Sequence, residues 1–176
     1  MRKILIIGPG GAGKSTVARQ LGKLLDIKVR HLDRLYWQPG WIASPKDRWL
    51  KTVDDLLRQE AWIIDGNYSG TLETRVQACD TVIFLDMPRL LCIARIFKRL
   101  MLYRNESRPD MAEGCREHFS FEFIRWVWDY SQRTRPKVIA LLQGNSEHKQ
   151  IFWLRSRAEV ERFLQTILEP KRETHA

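Results

Sequence analysis

Long hydrophobic runs, paired cysteines and internal repeats are what this sequence lacks. No apolar stretch approaches the roughly 20 residues that a membrane span needs. The Ile4–Ile7 run behind Met1-Arg2-Lys3 is too short for a signal peptide. Cysteine is scarce: Cys79, Cys92 and Cys115 show neither paired nor metal-type spacing. That excludes a disulfide scaffold or zinc module and predicts reduced, structural thiols in a cytoplasmic protein. No low-complexity segment interrupts the 176 residues, a length that supports one domain spanning 1–176. An apolar share of 44% is enough for a core and excludes global disorder.

What the chain does have is positive charge. Thirty Lys and Arg against 21 Asp and Glu give a formal net charge of +9. Residues 1–87 hold 13 basic and 10 acidic side chains, a surplus of +3, whereas residues 88–176 hold 17 and 11, a surplus of +6. The excess predicts anionic partners: nucleic acid, nucleotide phosphates or an acidic surface.

Five short apolar runs alternate with helical patterns. Arg2–Ile7 reads as a strand buried on both faces. After it, Val17, Ala18, Leu21, Leu24 and Leu25 form one helical stripe. Further strands are expected at Ile27–Leu32, Ala61–Asp65, Thr81–Asp86 and Gln150–Leu154. Ser44-Pro45-Lys46-Asp47 reads as a capped helix start with a helix to about Glu60, and Ser156-Arg-Ala-Glu159 as a capping box. Residues 88–149 show almost no strand signal and read as helices near 88–104, 117–133 and 136–143, with a polar break at 104–114. The polar tail 169–176 reads as frayed. Strands separated by helices imply an α/β fold with a five-stranded parallel sheet.

Gly8-Pro9-Gly10-Gly11-Ala12-Gly13-Lys14-Ser15 fits G-x-x-x-x-G-K-[ST], follows a buried strand and opens a helix, with Thr16 next in line. Such a loop turns backbone N–H groups and a helix N-terminus toward phosphates. Lys14 can reach the β- and γ-phosphates of ATP, and the Ser15 hydroxyl can ligate Mg²⁺. The N-K-x-D segment of a small GTPase is missing, so kinases of small metabolites lead.

Functional groups of open parallel sheets gather at the carboxyl ends of strands, where Asp33, Asp65 and Asp86 fall. One carboxylate is needed near Mg²⁺ and one to orient or deprotonate the acceptor. Asp33 and Asp65 can fill these roles; Asp65 is the metal candidate and Asp33 the acceptor candidate, though the residues leave the division open. Asp86, before Met87-Pro88, can equally cap the next helix. Tyr36, Trp37 and Trp41 lie just beyond the second strand and Asn67 and Tyr68 beyond the third, so they could line an acceptor pocket. His31 reads as structural. Ten basic residues fall between 88 and 135, nine of them arginine. Arg95 and Arg99, one helical turn apart, and Arg133 and Arg135 could close over ATP and stabilise the transferring phosphoryl group. Phe119, Phe123, Trp126 and Tyr130 are spaced as a packing stripe, although basic residues among aromatics could also contact nucleic acid.

His31-Leu-Asp33, Tyr36-Trp37, Trp41, Trp62-Ile-Ile-Asp-Gly-Asn-Tyr68, Arg108-Pro-Asp, Glu113-Gly-Cys, Thr134-Arg-Pro136 and Leu154-Arg-Ser-Arg157, with the phosphate loop, resemble the DNA topology modulation (FlaR-like) proteins of the adenylate kinase-like P-loop NTPase group. The resemblance implies a 2-3-1-4-5 sheet flanked by helices and a helical lid at about 88–149. It further implies Arg95 and Arg99 as one lid pair, Arg133 and Arg135 as the second, and Arg155–Arg157 near the adenine-binding loop. The Trp-rich segment stands where adenylate kinases bind AMP. The expected activity is ATP- and Mg²⁺-dependent phosphotransfer to a nucleotide or small metabolite. The alternatives are an ATP-binding, DNA-associated regulator or a slow ATPase switch.

Overall fold

The first apolar run becomes a strand because its side chains alternate between two buried layers. In the computed structural model, which describes all residues except 105, 107, 148 and 169–176, Lys3–Ile7 is β1. Ile4 and Ile6 face one layer, Leu5 and Ile7 the other, and all four are fully buried. The tail 169–176 lies outside the described residues.

The phosphate loop leads into α1 (Lys14–Leu25), then β2 (Val29–His31) and the short α2 (Leu32–Tyr36). Strands β3 (Trp37–Gln38) and β4 (Ile42–Ala43) form a small antiparallel hairpin. There follow α3 (Lys46–Leu57), β5 (Trp62–Asp65), α4 (Ser69–Ala78) and β6 (Thr81–Leu85). Next come α5 (Arg89–Leu102), α6 (Phe121–Arg133), α7 (Arg135–Gln143), β7 (Gln150–Leu154) and α8 (Arg157–Leu168). The main sheet runs β2-β5-β1-β6-β7, every pair parallel. Counted over its own five strands this is the order 2-3-1-4-5. On one face lie Trp49, Val53, Leu56 and Leu57 of α3, with Leu72 and Val76 of α4 and Val138 and Leu142 of α7. On the other lie Val17, Ala18 and Leu21 of α1, Cys92 and Ile96 of α5, and Phe163 of α8. Each buried Val, Leu, Ile or Phe among them contributes about 1.5–3 kcal/mol by leaving water.

Several local expectations need correction. The second strand is shorter than 27–32, because Leu32 turns into α2 and is buried there. Ser44 does not cap α3: Pro45 holds the cap position without a side-chain bond, and the helix ends at Leu57. Helix α6 begins at Phe121, not 117, because the Ser120 hydroxyl accepts from Phe123 N at 3.2 Å. Hairpin β3–β4 and helix α4 had no counterpart in the sequence reading. The capping box at Ser156 is present: Glu159 N donates to Ser156 Oγ at 3.2 Å, and Arg155 N donates to Glu159 Oε2 at 2.8 Å. In the aromatic stripe, Tyr130 is buried and Phe123 packs against the core, but Phe119 is exposed and stacks on Phe97 at 6.2 Å. All three cysteines are free and buried. Among the described residues, no helix is long and apolar enough to cross a membrane.

Candidate active site

All strands of the sheet being parallel, their carboxyl ends share one edge, and β1 delivers residues 8–15 there. The loop can lie tight against its neighbours only where side chains are absent. Gly8 has φ +146°, and a Cβ there would stand 2.4 Å from the Leu85 carbonyl oxygen; at Gly11, φ +78°, it would stand 2.3 Å from that of Cys92. Ala12 N donates to Pro9 O at 3.2 Å, closing the turn into α1. Lys14 Nζ donates to Gly8 O at 3.0 Å and Pro9 O at 2.9 Å. Burial lowers its pKa, while the nearby Asp33 and Asp65 oppose that. Ser15 and Thr16 sit in the first turn of α1.

Register then sets the carboxylates. β2 and β5 place His31 beside Asp65, and Nδ1 of His31 meets Oδ1 of Asp65 at 2.6 Å. Tyr68 OH donates to Asp33 Oδ1 at 2.8 Å. Burial raises the Asp33 carboxyl, with the Tyr68 hydrogen bond and Lys14 pulling the other way. Asp33 and Asp65 therefore both lie within electrostatic reach of Lys14. Asn67 is spent on the loop itself: its Oδ1 accepts from Gly8 N at 3.1 Å and its Nδ2 donates to Gly8 O at 2.7 Å. That makes it a clamp on the phosphate loop, where the sequence had suggested an acceptor contact.

The aromatic residues divide. Tyr36 and Tyr68 lie against Trp49, with ring centroids 4.7–5.0 Å apart, and pack on the core. Trp37 and Trp41 lie at the hairpin, 5.5 Å apart. Trp41 donates from Nε1 to Arg116 O at 2.9 Å and meets the His118 ring at 5.1 Å. Gly40 N donates to Gly114 O at 3.2 Å and Cys115 Sγ to Gln38 O at 3.1 Å. The hairpin is thereby docked onto the segment that precedes α6.

Helix α5 turns Arg95 and Arg99 toward the loop. Arg95 Nη1 donates to Ala12 O at 3.1 Å, and Arg99 Nε donates to Glu117 Oε2 at 3.2 Å. Burial lowers the pKa of Arg99, Arg108 adding to the effect. Arg108 bridges two buried carboxylates, with Nη1 at 2.8 Å from Asp110 Oδ2 and Nε at 2.7 Å from Glu117 Oε1. Burial pushes the Asp110 carboxyl up, but Arg108 outweighs it and holds the group below the usual carboxylate range. Arg133 and Arg135 part company. Arg133 is exposed and pairs with Asp129 at 3.5 Å. Arg135 instead grips Asp86 with Nε at 2.9 and 3.0 Å and Nη2 at 2.8 Å. Asp86 also accepts from Trp153 Nε1 at 2.8 Å, so it is an arginine anchor and not a helix cap. Arg157 is exposed and pairs with Glu161 at 2.7 Å.

Sequence reasoning missed three residues that shape this edge. Asp110 lies in the polar break at 104–114, where only the Arg108-Pro-Asp motif pointed to it, and Glu117 lies beyond the break, at the expected start of the next helix. Arg75 of α4 is fully buried and donates to the carbonyls of Gly66, Asn67, Tyr68 and Thr71. Its signal was an arginine on the apolar stripe with Leu72 and Val76. A cavity of about 410 Å³ lined by Met1, Asp80, Thr81, Lys149 and Gln150 lies at the opposite, amino ends of the strands.

No protein-family model matches the chain, and no curated protein matches it. Among solved structures it is similar to shikimate kinase from Acinetobacter baumannii in complex with shikimate. That match has 18% identity and a TM-score of 0.57, over 99% of this chain and 95% of that one. It is also similar to a candidate kinase from Chloroflexus aurantiacus, with 15% identity and a TM-score of 0.53 over 96% and 98%. Deoxyadenosine kinase from M. mycoides matches with 17% identity and a TM-score of 0.49 over 97% and 98%. At these identities the first two likenesses establish the fold alone, a five-stranded parallel α/β sheet flanked by helices.

Proposed function

We propose that this chain is a phosphotransferase that takes the terminal phosphoryl group of ATP, bound with Mg²⁺, to a hydroxyl or phosphate of a small metabolite or nucleotide. The observation that carries this reading is the phosphate loop at the carboxyl edge of the sheet, with Lys14 Nζ on the Gly8 and Pro9 carbonyls and Asp33 near enough to act on it electrostatically. A cation that can follow the γ-phosphate and a carboxylate that can take the acceptor's proton are the two groups the transfer needs. The donor set fits the cofactor: the loop's close-packed glycines leave its backbone free to face phosphates, and the Ser15 hydroxyl is a hard oxygen for Mg²⁺. Bound there, Mg²⁺ would neutralise charge on the β- and γ-phosphates. Gly8–Thr16 hold the phosphates, and Arg95 and Arg99 complete the cationic wall.

Asp33, held by Tyr68, orients and deprotonates the acceptor, while Asp65 orients His31. Trp37 and Trp41 border the acceptor side. Residues 1–176 act as one kinase domain in which 88–149 is the lid, with Arg157 at the adenine end. Shikimate, named in the Acinetobacter structure, is a hydroxylated small molecule of the kind this site would take. Three buried free thiols suit a reducing cytoplasm. The resemblance to DNA topology modulation proteins leaves an ATP-binding, DNA-associated regulator as the weaker reading. The intrachain partners of Arg95, Arg99, Arg108, Arg133 and Arg135 make those five side chains less available to a DNA backbone.

ATP consumption measured across nucleosides, nucleotides and hydroxylated metabolites tests the proposal. One acceptor class should raise turnover well above the rate with water, and Lys14→Ala should abolish that rise while the chain stays folded. Turnover that no acceptor raises, or that survives Lys14→Ala, sinks it.

A further inference from the structure

Helix α5 is inside out compared with an ordinary surface helix, whose charges face water. Its Cys92 and Ile96 pack on the sheet, and its Arg95 and Arg99 turn toward the phosphate loop. The side left to solvent is apolar. Leu90, Met101 and Leu102 are 65–74% exposed, and Leu91 and Phe97 are exposed beside them. Leu90, Phe97 and Met101 recur at helical spacing and form one stripe roughly 16 Å long. The exposed Phe119 ring extends it, stacking on Phe97 at 6.2 Å. At the other end the Arg89 guanidinium lies 4.1 Å from the centre of the exposed Trp128 ring. A continuous apolar stripe of this kind marks a contact with protein or membrane.

Charge decides between these partners. From Met87 to Arg104 the sequence holds five Lys and Arg and no Asp or Glu. Two of the five face the loop, which leaves Arg89, Lys98 and Arg104 exposed around the stripe. Helix α6 beside it is balanced, with Glu122 and Asp129 against Arg125 and Arg133. A second copy would set the stripe against itself and bring like charges together, with no acid on α5 to meet them. An anionic bilayer answers both parts of the surface. Acyl chains take the Leu, Phe and Met side chains, lipid phosphates take the Lys and Arg, and Trp suits the headgroup level. Most of the apolar side chains project from a single helix, a form that a fluid phase accommodates without a matching groove. With 14 residues α5 is too short to cross a bilayer and long enough to lie in its surface. We propose that the outer face of α5 docks on an anionic lipid bilayer, with the helix in the membrane plane and Arg95 and Arg99 still turned to the phosphate loop. This goes beyond the phosphotransferase reading and does not depend on it.

Sedimentation of the full chain with lipid vesicles tests the docking without nucleotide or turnover. Vesicles of phosphatidylcholine and phosphatidylglycerol in equal parts should take up wild type about tenfold or more strongly than phosphatidylcholine alone. Leu90→Gln combined with Met101→Gln keeps every charge and should weaken that uptake about tenfold or more. If the double variant does not fold, Met101→Gln alone makes the same comparison, with a loss of about threefold or more. Leu50→Gln, an exposed position of α3 on the opposite face of the sheet, should leave uptake unchanged. No uptake by the anionic vesicles, equal uptake by both kinds, or a loss with Leu50→Gln as large as with the double variant each overturns the proposal. Full uptake of the double variant overturns it too, since charge alone would then explain the binding. A wild-type dimer that ignores vesicles and is dissolved by the double substitution assigns the stripe to a second copy instead.

Discussion

Arg75 carries the least expected structural consequence of the site. Its guanidinium is fully buried, and its partners are carbonyl oxygens: Nη1 to Gly66 at 2.8 Å, Nη2 to Tyr68 at 2.9 Å and to Asn67, and Nε to Thr71 at 3.2 Å. Burial lowers its pKa to about 9, which leaves it charged at pH 7. Arg75→Met keeps the apolar stem and deletes the head, stranding the carbonyls of residues 66–68. Hydrogen bonds to a charged donor contribute about 1.5–3 kcal/mol each. Several kcal/mol of that sum is offset because the variant no longer desolvates a cation. The net loss should be about 2–4 kcal/mol, a large part of the 5–15 kcal/mol typical of a whole domain. At this chain length that corresponds to a fall of roughly 4–16 °C in melting temperature. Loop 66–68 also carries Asn67 onto Gly8 and Tyr68 onto Asp33, so ATP affinity should weaken even where the variant is folded. Arg75→Lys should fall between the two, because one ammonium cannot span four carbonyls. Circular dichroism melts and calorimetric ATP titration at 20 °C check both halves. An Arg75→Met variant that melts within about 2 °C of wild type and binds ATP equally would refute the idea that the guanidinium organises this loop.

Asp33→Asn should melt higher than wild type near neutral pH. Burial raises the Asp33 carboxyl above its ordinary 3.8, so the folded chain binds that proton more tightly than the unfolded one, and ionisation costs stability above the folded pKa. The advantage of the variant should shrink as pH falls toward about 4, while phosphoryl transfer is lost at every pH; a gap that stays constant with pH would remove burial as its cause. Gly11→Ala should cost about 2–4 kcal/mol, because its Cβ would stand 2.3 Å from Cys92 O at φ +78° and α5 must shift to admit it. Urea titration checks this, and a change under about 1 kcal/mol would show that the loop relaxes away from α5.

The sheet was legible because its signals are local and strong. Ile4, Leu5, Ile6 and Ile7 fill both faces of one strand, and Gln150–Leu154 matched to the residue. The phosphate loop was legible because its glycines are fixed by close approach to Leu85 and Cys92, a constraint that leaves a mark in the sequence. Partnership between distant residues leaves no such mark. Asp86 carries no local sign that Arg135, 49 residues on, is its partner. Asn67 looks like a loop residue until the β1–β5 register sets it against Gly8. Ser44-Pro45 mimics a cap, but that helix starts without a side-chain bond, and the hairpin before it is held instead by contacts to residues 114–116. Helix α4 escaped notice for a different reason: its buried stripe contains Arg75, and a charged residue there erases the apolar pattern by which helices are read.

The groups best placed to meet a phosphate already have partners in the chain, and the kinds of partner differ. Lys14 rests on two neutral carbonyls and Arg95 on one, whereas Arg99 is held by the carboxylate of Glu117. Exchanging a neutral oxygen for a charged phosphate oxygen gains energy, since charge-assisted bonds are roughly twice as strong. Exchanging one anion for another gains little unless the displaced carboxylate finds a cation elsewhere. Arg108 already stands 2.7 Å from Glu117 and can take it over. Lys14 and Arg95 can therefore engage phosphate with the connection between α5 and α6 where it is, but Arg99 can do so only when Glu117 shifts its allegiance to Arg108. Arg108 also holds Asp110 at 2.8 Å, so taking over Glu117 makes one guanidinium serve two carboxylates in full.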